Sequence, residues 1–170
     1  DNRSGEAACY VALLEPMSGK ILMEYRISGK GNAYEPAVIG IGDQRFAVAW
    51  EQAGHVWLRL LGPAGLADAV RLDVDAGSHP SLATQGDEGL VAVWSEQGDR
   101  TWLADIQLPP GPKAVPRVLR RKPIESGTLQ GSQTYPSAVS TQAGQLTIGW
   151  EDRREGFTAI FVSARTKDGS

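Results

Sequence analysis

One spacing, repeated three times, constrains this chain more than any other feature. Pro36, Pro80 and Pro136 are each followed 14 residues later by a tryptophan, at Trp50, Trp94 and Trp150. Both series step by 44 and then by 56 residues, so the Pro-to-Trp core is fixed and length varies elsewhere. The copies in register are YEPAVIGIGDQRFAVAWEQAGHVWLRLLGPAG (34–65), HPSLATQGDEGLVAVWSEQGDRTWLADIQLPPG (79–111) and YPSAVSTQAGQLTIGWEDRREGFTAIFVSARTKDG (135–169). Each gives a Pro, a small-residue strand, a Gly-containing turn, an apolar strand ending in Trp, a polar turn and another apolar strand. Self-similarity of this kind indicates a repeat architecture.

In the first full copy, alternation and turn residues predict strands A to D at 36–42, 45–51, 55–61 and 68–73. No segment carries a helical period with caps. A repeated four-stranded antiparallel unit of ~40–55 residues is the pattern of a β-propeller blade. The expected fold class is therefore all-β: a β-propeller of four-stranded antiparallel blades, incomplete in this chain at about three blades plus. Its pieces are a blade remnant at 1–33, blades at 34–77 and 78–133, and a partial blade at 134–170. Strand A is expected innermost, where Ala37, Ser81, Ser137 and Ala138 suit the crowding at an axis. The three Trp are expected to pack between blades, because aromatic side chains carry much of core burial.

The opening DNRSGEAACY aligns with DRREGFTAIF, placing Asp1 on Asp152, Arg3 on Arg154, Gly5 on Gly156 and Tyr10 on Phe161. The chain is thus expected to begin partway through one repeat and to stop at nearly the same place three repeats later. Such an arc exposes two blade faces, a large apolar liability. Either a longer parent chain supplies the remaining blades or another subunit does.

Hydrophobic residues make up 41% of the chain, enough for a packed core. The net charge of −3 gives no overall electrostatic reason to expect nucleic acid. No apolar run approaches the ~20 residues needed to cross a bilayer. Cys9 is the single cysteine, which rules out an intrachain disulfide and a cysteine metal cluster. The two histidines, His55 and His79, fall in different repeats. Neither a metal nor a cofactor is expected: no phosphate loop and no Gly-x-Ser-x-Gly element is present.

The stretches VAW (48–50), WEDRREG (150–156) and AIFVSARTKDGS (159–170) resemble bacterial sialidase-like propellers of the BNR, or Asp-box, class. Thr166 and Asp168 match the first two positions of that class's Ser/Thr-x-Asp-x-Gly box, and Ser170 stands where its Gly belongs. The other repeats, with EPMSGK, GPAGLAD and PPGPKAV in that place, lack the box. The resemblance implies a secreted or periplasmic location. For catalytic members it implies three Arg on a substrate carboxylate, a Tyr nucleophile activated by Glu, and an Asp acid/base. The nearest match to the first Arg is YRISG, with Arg26 on a strand D rather than facing the channel. Tyr34 and Glu35 adjoin, and no Arg trio can be assigned. The expected function is a non-catalytic binding or scaffolding module that presents one loop face to a protein or glycan partner. The alternative is a fragment of a sialidase-type exo-glycosidase.

In a propeller the D–A and B–C loops share a face. The residues before each strand-A Pro, Glu35, His79 and Tyr135, with Tyr34 beside the first, form a titratable ring at the channel mouth. They read either as ligand contacts or as solvated rim. The B–C turns add Glu51, His55, Glu96, Asp99, Arg100, Asp152, Arg153, Arg154 and Glu155, besides Asp1 and Arg3. Asp and Arg two apart in a tight turn either tie the turn together or hold a charged partner. Arg117, Arg120, Arg121 and Lys122 in RVLRRK lie on a strand D, and ESGTLQGSQT (125–134) forms the long D–A loop of the second full repeat.

Overall fold

The computed structural model describes residues 5–86, 89–97, 100–111, 113–124, 132–141 and 143–165. Every regular element in them is a β-strand, so no helix there is long and apolar enough to cross a membrane. The strands form four antiparallel sheets. The first pairs β1 (Tyr10–Leu14) with β2 (Ile21–Arg26). The second runs β3 (Ala33–Gly40), β4 (Phe46–Gln52) and β5 (His55–Gly62), with two short pieces on β5: β6 (Gly65–Leu66) and β7 (Val70–Arg71). The third is β8 (Gly77–Gln85), β9 (Gly89–Glu96), β10 (Arg100–Gln107) and β11 (Arg117–Pro123). The fourth is β12 (Gln133–Ser140), β13 (Leu146–Asp152) and β14 (Ala159–Arg165). Successive strands are joined as meanders, the topology that short Gly-bearing turns allow. Between β4 and β5, Ala53 and Gly54 both have positive φ, 56° and 74°, as a right-twisted two-residue hairpin requires.

The sheets pack face to face in chain order, and strict alternation along each Trp-bearing strand does the packing. Val48 and Trp50 of β4 point back to the first sheet, with Cys9, Ile27 and Ala33. Ala47 and Ala49 point forward, against Leu90, Ala92 and Trp94 of β9. Val91 and Val93 of β9 in turn face Leu146, Ile148 and Trp150 of β13. All three indoles are buried in equivalent junctions. Backbone bonds tie successive sheets too: the first residue of β3 donates from Ala33 N to Ala7 O at 2.7 Å, and that of β8 from Gly77 N to Gly54 O at 2.9 Å.

Strand A differs from its expected extent, and the difference is informative. β3 begins at Ala33, upstream of Pro36, and the register slips between Tyr34 and Ala37, between Ser78 and Ser81, and between Thr134 and Ser137. Two residues on strand A therefore oppose one Trp on strand B. Each is a β-bulge, and a bulge is one of the few places inside a strand where Pro's missing N–H does no harm. Strand D of the second sheet, expected over 68–73, is split into β6 and β7. The chain leaves the ladder after Leu66, and Asp73, buried just past β7, accepts from Val56 N at 3.2 Å and Arg71 Nε at 3.1 Å.

Gly77 sits where sheets two and three meet. A Cβ there would lie 3.0 Å from Asp73 Cβ, Trp94 Cδ1 and Val56 Cγ2 at once. Gly77→Ala is expected to lower the stability measured by urea unfolding by about 1–3 kcal/mol, the range for overpacking a filled core.

Candidate functional site

The bulge sets the geometry where the first strands of three successive sheets meet. Glu35, His79 and Tyr135, the first bulge residues, have φ of 52°, 54° and 52°. This left-handed conformation costs a non-glycine residue on the order of 1 kcal/mol or more, and it recurs at the same position in three sheets. The three side chains meet. His79 Nε2 lies 3.3 Å from Glu35 Oε1. The His79 and Tyr135 rings are edge to face, with centroids 4.2 Å apart. Ser78 Oγ is 2.8 Å from His79 Nδ1. With Nε2–H facing the carboxylate, the neutral ring accepts the Ser78 hydroxyl proton at Nδ1, and the protonated ring donates to it.

Glu51 completes the cluster from strand B, opposite Tyr34. Burial pushes its carboxyl above the usual range; the Glu35 charge adds to this and the His79 charge opposes it. A recess of about 910 Å³ opens beside Glu35, lined by Tyr34, Glu35 and Pro36 on one side and Ala7 to Tyr10 on the other. The arrangement offers two carboxylates as acceptors, an imidazole that can carry charge, and two exposed phenol rings at Tyr34 and Tyr135. It can accept hydrogen bonds, pair with a cation and stack on a planar or sugar-ring face.

The other residues expected on this face have different surroundings. His55 Nδ1 donates to buried Asp73 Oδ2 at 2.9 Å, so its ring braces the end of β5. Arg100 is exposed at the start of β10, opposite Glu96. Arg153 Nε donates to Thr158 Oγ1 at 3.2 Å within its own turn. Asp152 and Arg154 are buried. Asp152 accepts from Arg154 N at 2.8 Å, from Trp150 Nε1 at 3.2 Å and from the Arg154 guanidinium, which lies over the Phe161 ring at 4.2 Å. The pair ties the turn together and is not presented outward. Arg121 bonds the carbonyls of Leu72 and Arg71 across the junction, and Arg120 pairs with Asp105 at 2.5 Å. Asp1, Arg3, Asp99, Thr166, Asp168, Ser170 and loop positions 125–131 lie outside the described residues. Among the described residues, no three His, Cys, Asp or Glu gather as metal ligands.

Sequence reasoning placed Glu96 and Asp152 on the loop face and passed over Gln52, and it missed the role that the residue two beyond each Trp shares. Trp50 Nε1 donates to Gln52 Oε1 at 3.2 Å, Trp94 Nε1 to Glu96 Oε2 at 3.1 Å and Trp150 Nε1 to Asp152 Oδ2 at 3.2 Å. Gln52 also grips Gly29 N and Lys30 O, and Glu96 grips Val74 N and Asp75 N, so each clamps the D–A loop that leads to its own rim residue. The signal was present as WEQ, WSE and WED.

With this geometry in hand, no protein-family model matches the chain, and no curated protein sequence matches it either.

Arg154 holds the Asp152 carboxyl well below the usual carboxylate range, chiefly by hydrogen bonding, while burial opposes it. A depressed folded value stabilises the fold above the unfolded value and is lost as pH falls. Asp152→Asn is therefore expected to lower Tm at pH 7 and to flatten the acid limb of stability below about pH 4. Glu51 has the opposite sign: its raised value favours the fold at low pH, and that contribution fades as pH rises above about 4. Glu51→Gln is expected to raise Tm at pH 7 and to remove that slope in a thermal series from pH 4 to 7.

Proposed function

We propose that this chain is an arc of a β-propeller, akin to the sialidase-like class, that works as a non-catalytic binding module. Its inner rim presents Glu35, His79, Tyr135, Glu51 and Tyr34 to a protein or glycan partner in an extracytoplasmic setting. One observation carries this reading: three equivalent backbones hold a costly left-handed conformation, and each delivers a different polar side chain to one contact. A purely structural bulge would take Gly at that position at no steric cost. Such strain concentrates where side chains must be aimed. The face-to-face sheets with equivalent buried Trp support the propeller. Binding is favoured over glycoside hydrolysis by Arg26, whose guanidinium donates to Gly29 O at 2.7 Å and lies 3.6 Å from Glu6, so it does not face the rim cluster.

Glycine substitution separates fold from function. Glu35→Gly and Tyr135→Gly relieve the strain, and each is expected to leave Tm unchanged or to raise stability by up to about 1 kcal/mol. Capture of immobilised oligosaccharides or of short Lys- and Arg-bearing peptides, scored by biolayer interferometry, is expected to fall at least tenfold in the double variant. Undiminished capture of the probes that the unmodified chain retains would reject the rim as the binding site.

A further inference from the structure

We infer that the outer face of the fourth sheet is a docking surface for a further antiparallel sheet of this same repeat, received through that sheet's Trp-bearing strand. The face is formed by Val139 on β12 and by Ile160 and Val162 on β14, which are 63%, 70% and 66% exposed. Strand pairing fixes their equivalents. Glu151 pairs with Ile160 as Glu51 pairs with Val56 and Ser95 with Thr101. Gly149 pairs with Val162 as Ala49 pairs with Leu58 and Val93 with Leu103. Val139 lies three residues past its Pro, as do Ile39 and Ala83. In the second and third sheets these positions are covered in full or in part: Val56, Leu58 and Thr101 are 0% exposed, Leu103 2% and Ala83 1%, and Ile39 is half-buried against the same cluster.

What covers them is the same surface both times. Leu90, Ala92 and Trp94 cover the second sheet, and Leu146, Ile148 and Trp150 cover the third. The molecule thus displays two solved cases of the partner that its open face fits: an apolar-x-apolar-x-Trp strand, with an acid or amide two residues on to satisfy the indole N–H. A cationic or strongly polar partner would leave three β-branched side chains in water. A second fourth-sheet face, packed on this one, would offer no indole to fill the space that Trp94 and Trp150 fill in the inner junctions. The inference rests on repeat register and holds whatever the rim binds.

The probe is a synthetic hairpin of residues 89–107, closed at its open end by a D-Pro–Gly turn, with 5-fluorotryptophan at the position of Trp94. Titrated with the full chain, its fluorine resonance is expected to shift, with saturation. Val162→Asp on the chain is expected to weaken binding at least tenfold, and Ile21→Asp on the first sheet to leave it unchanged. A hairpin with Ser in place of Trp94 is expected not to bind. No shift with the intact hairpin, its strand pairing verified beforehand by cross-strand NOEs, or equal binding to Val162→Asp, overturns the inference. So does sedimentation as a dimer that Val162→Asp abolishes, which would assign the face to a second copy instead.

Discussion

An indole cannot be buried at low cost unless its N–H finds a partner, and here that requirement organises the molecule. Each junction between sheets holds one fully enclosed Trp, at 50, 94 or 150, and each of these donates to the side chain two residues further along the same strand. That side chain is at once the far end of the core and the near end of the loop face. In the second and third sheets it also bonds the backbone of the connection that leads into β3 or β8. Core packing and rim geometry are therefore parts of one structure: a junction that loses its Trp also loosens the loop that aims the rim residue beside it.

The rim follows from a second conflict, between proline and pairing. A Pro inside a paired strand needs a bulge, and the bulge residue before it takes a left-handed backbone in all three repeats. With that backbone fixed, the side chains of Glu35, His79 and Tyr135 converge from separate sheets. The electrostatics are uneven. Glu51 is partly desolvated beside another carboxylate, whereas Asp152, one position further along its own strand B, is fully engaged by Arg154. The first arrangement leaves acceptor capacity to be used, and the second leaves little.

The repeat made much of this legible. Pro-to-Trp spacing alone locates the strands, places the Trp between sheets and puts Glu35, His79 and Tyr135 at one place. What the sequence hid was hidden for physical reasons. Pro36 reads as the start of a strand because proline ordinarily excludes itself from ladders; only the bulge lets β3 begin at Ala33. Glu96 in WSE and Asp152 in WED read as outward charge, since an acid near a turn is usually solvated, and Gln52 in WEQ carries no charge to notice; the need of a buried indole for an acceptor turns all three inward. His55, Asp152 and Arg154 have the composition of a binding rim and the geometry of turn braces. Composition cannot separate those two uses, because both require the same hydrogen-bonding groups.

The bulged prolines have one more effect. β3, β8 and β12 are each the edge strand of a sheet, and they lie beside one another. Three adjacent edges could zip into one continuous ladder, as open edges tend to. Where β8 and β12 approach, the links are instead Ala138 N to Ser81 Oγ at 3.1 Å and Thr84 Oγ1 to Ser140 Oγ at 3.1 Å. The kink and the absent N–H break the edges' repeat and leave hydroxyls to bridge them, so the three edge strands remain separate neighbours rather than fusing into a single sheet.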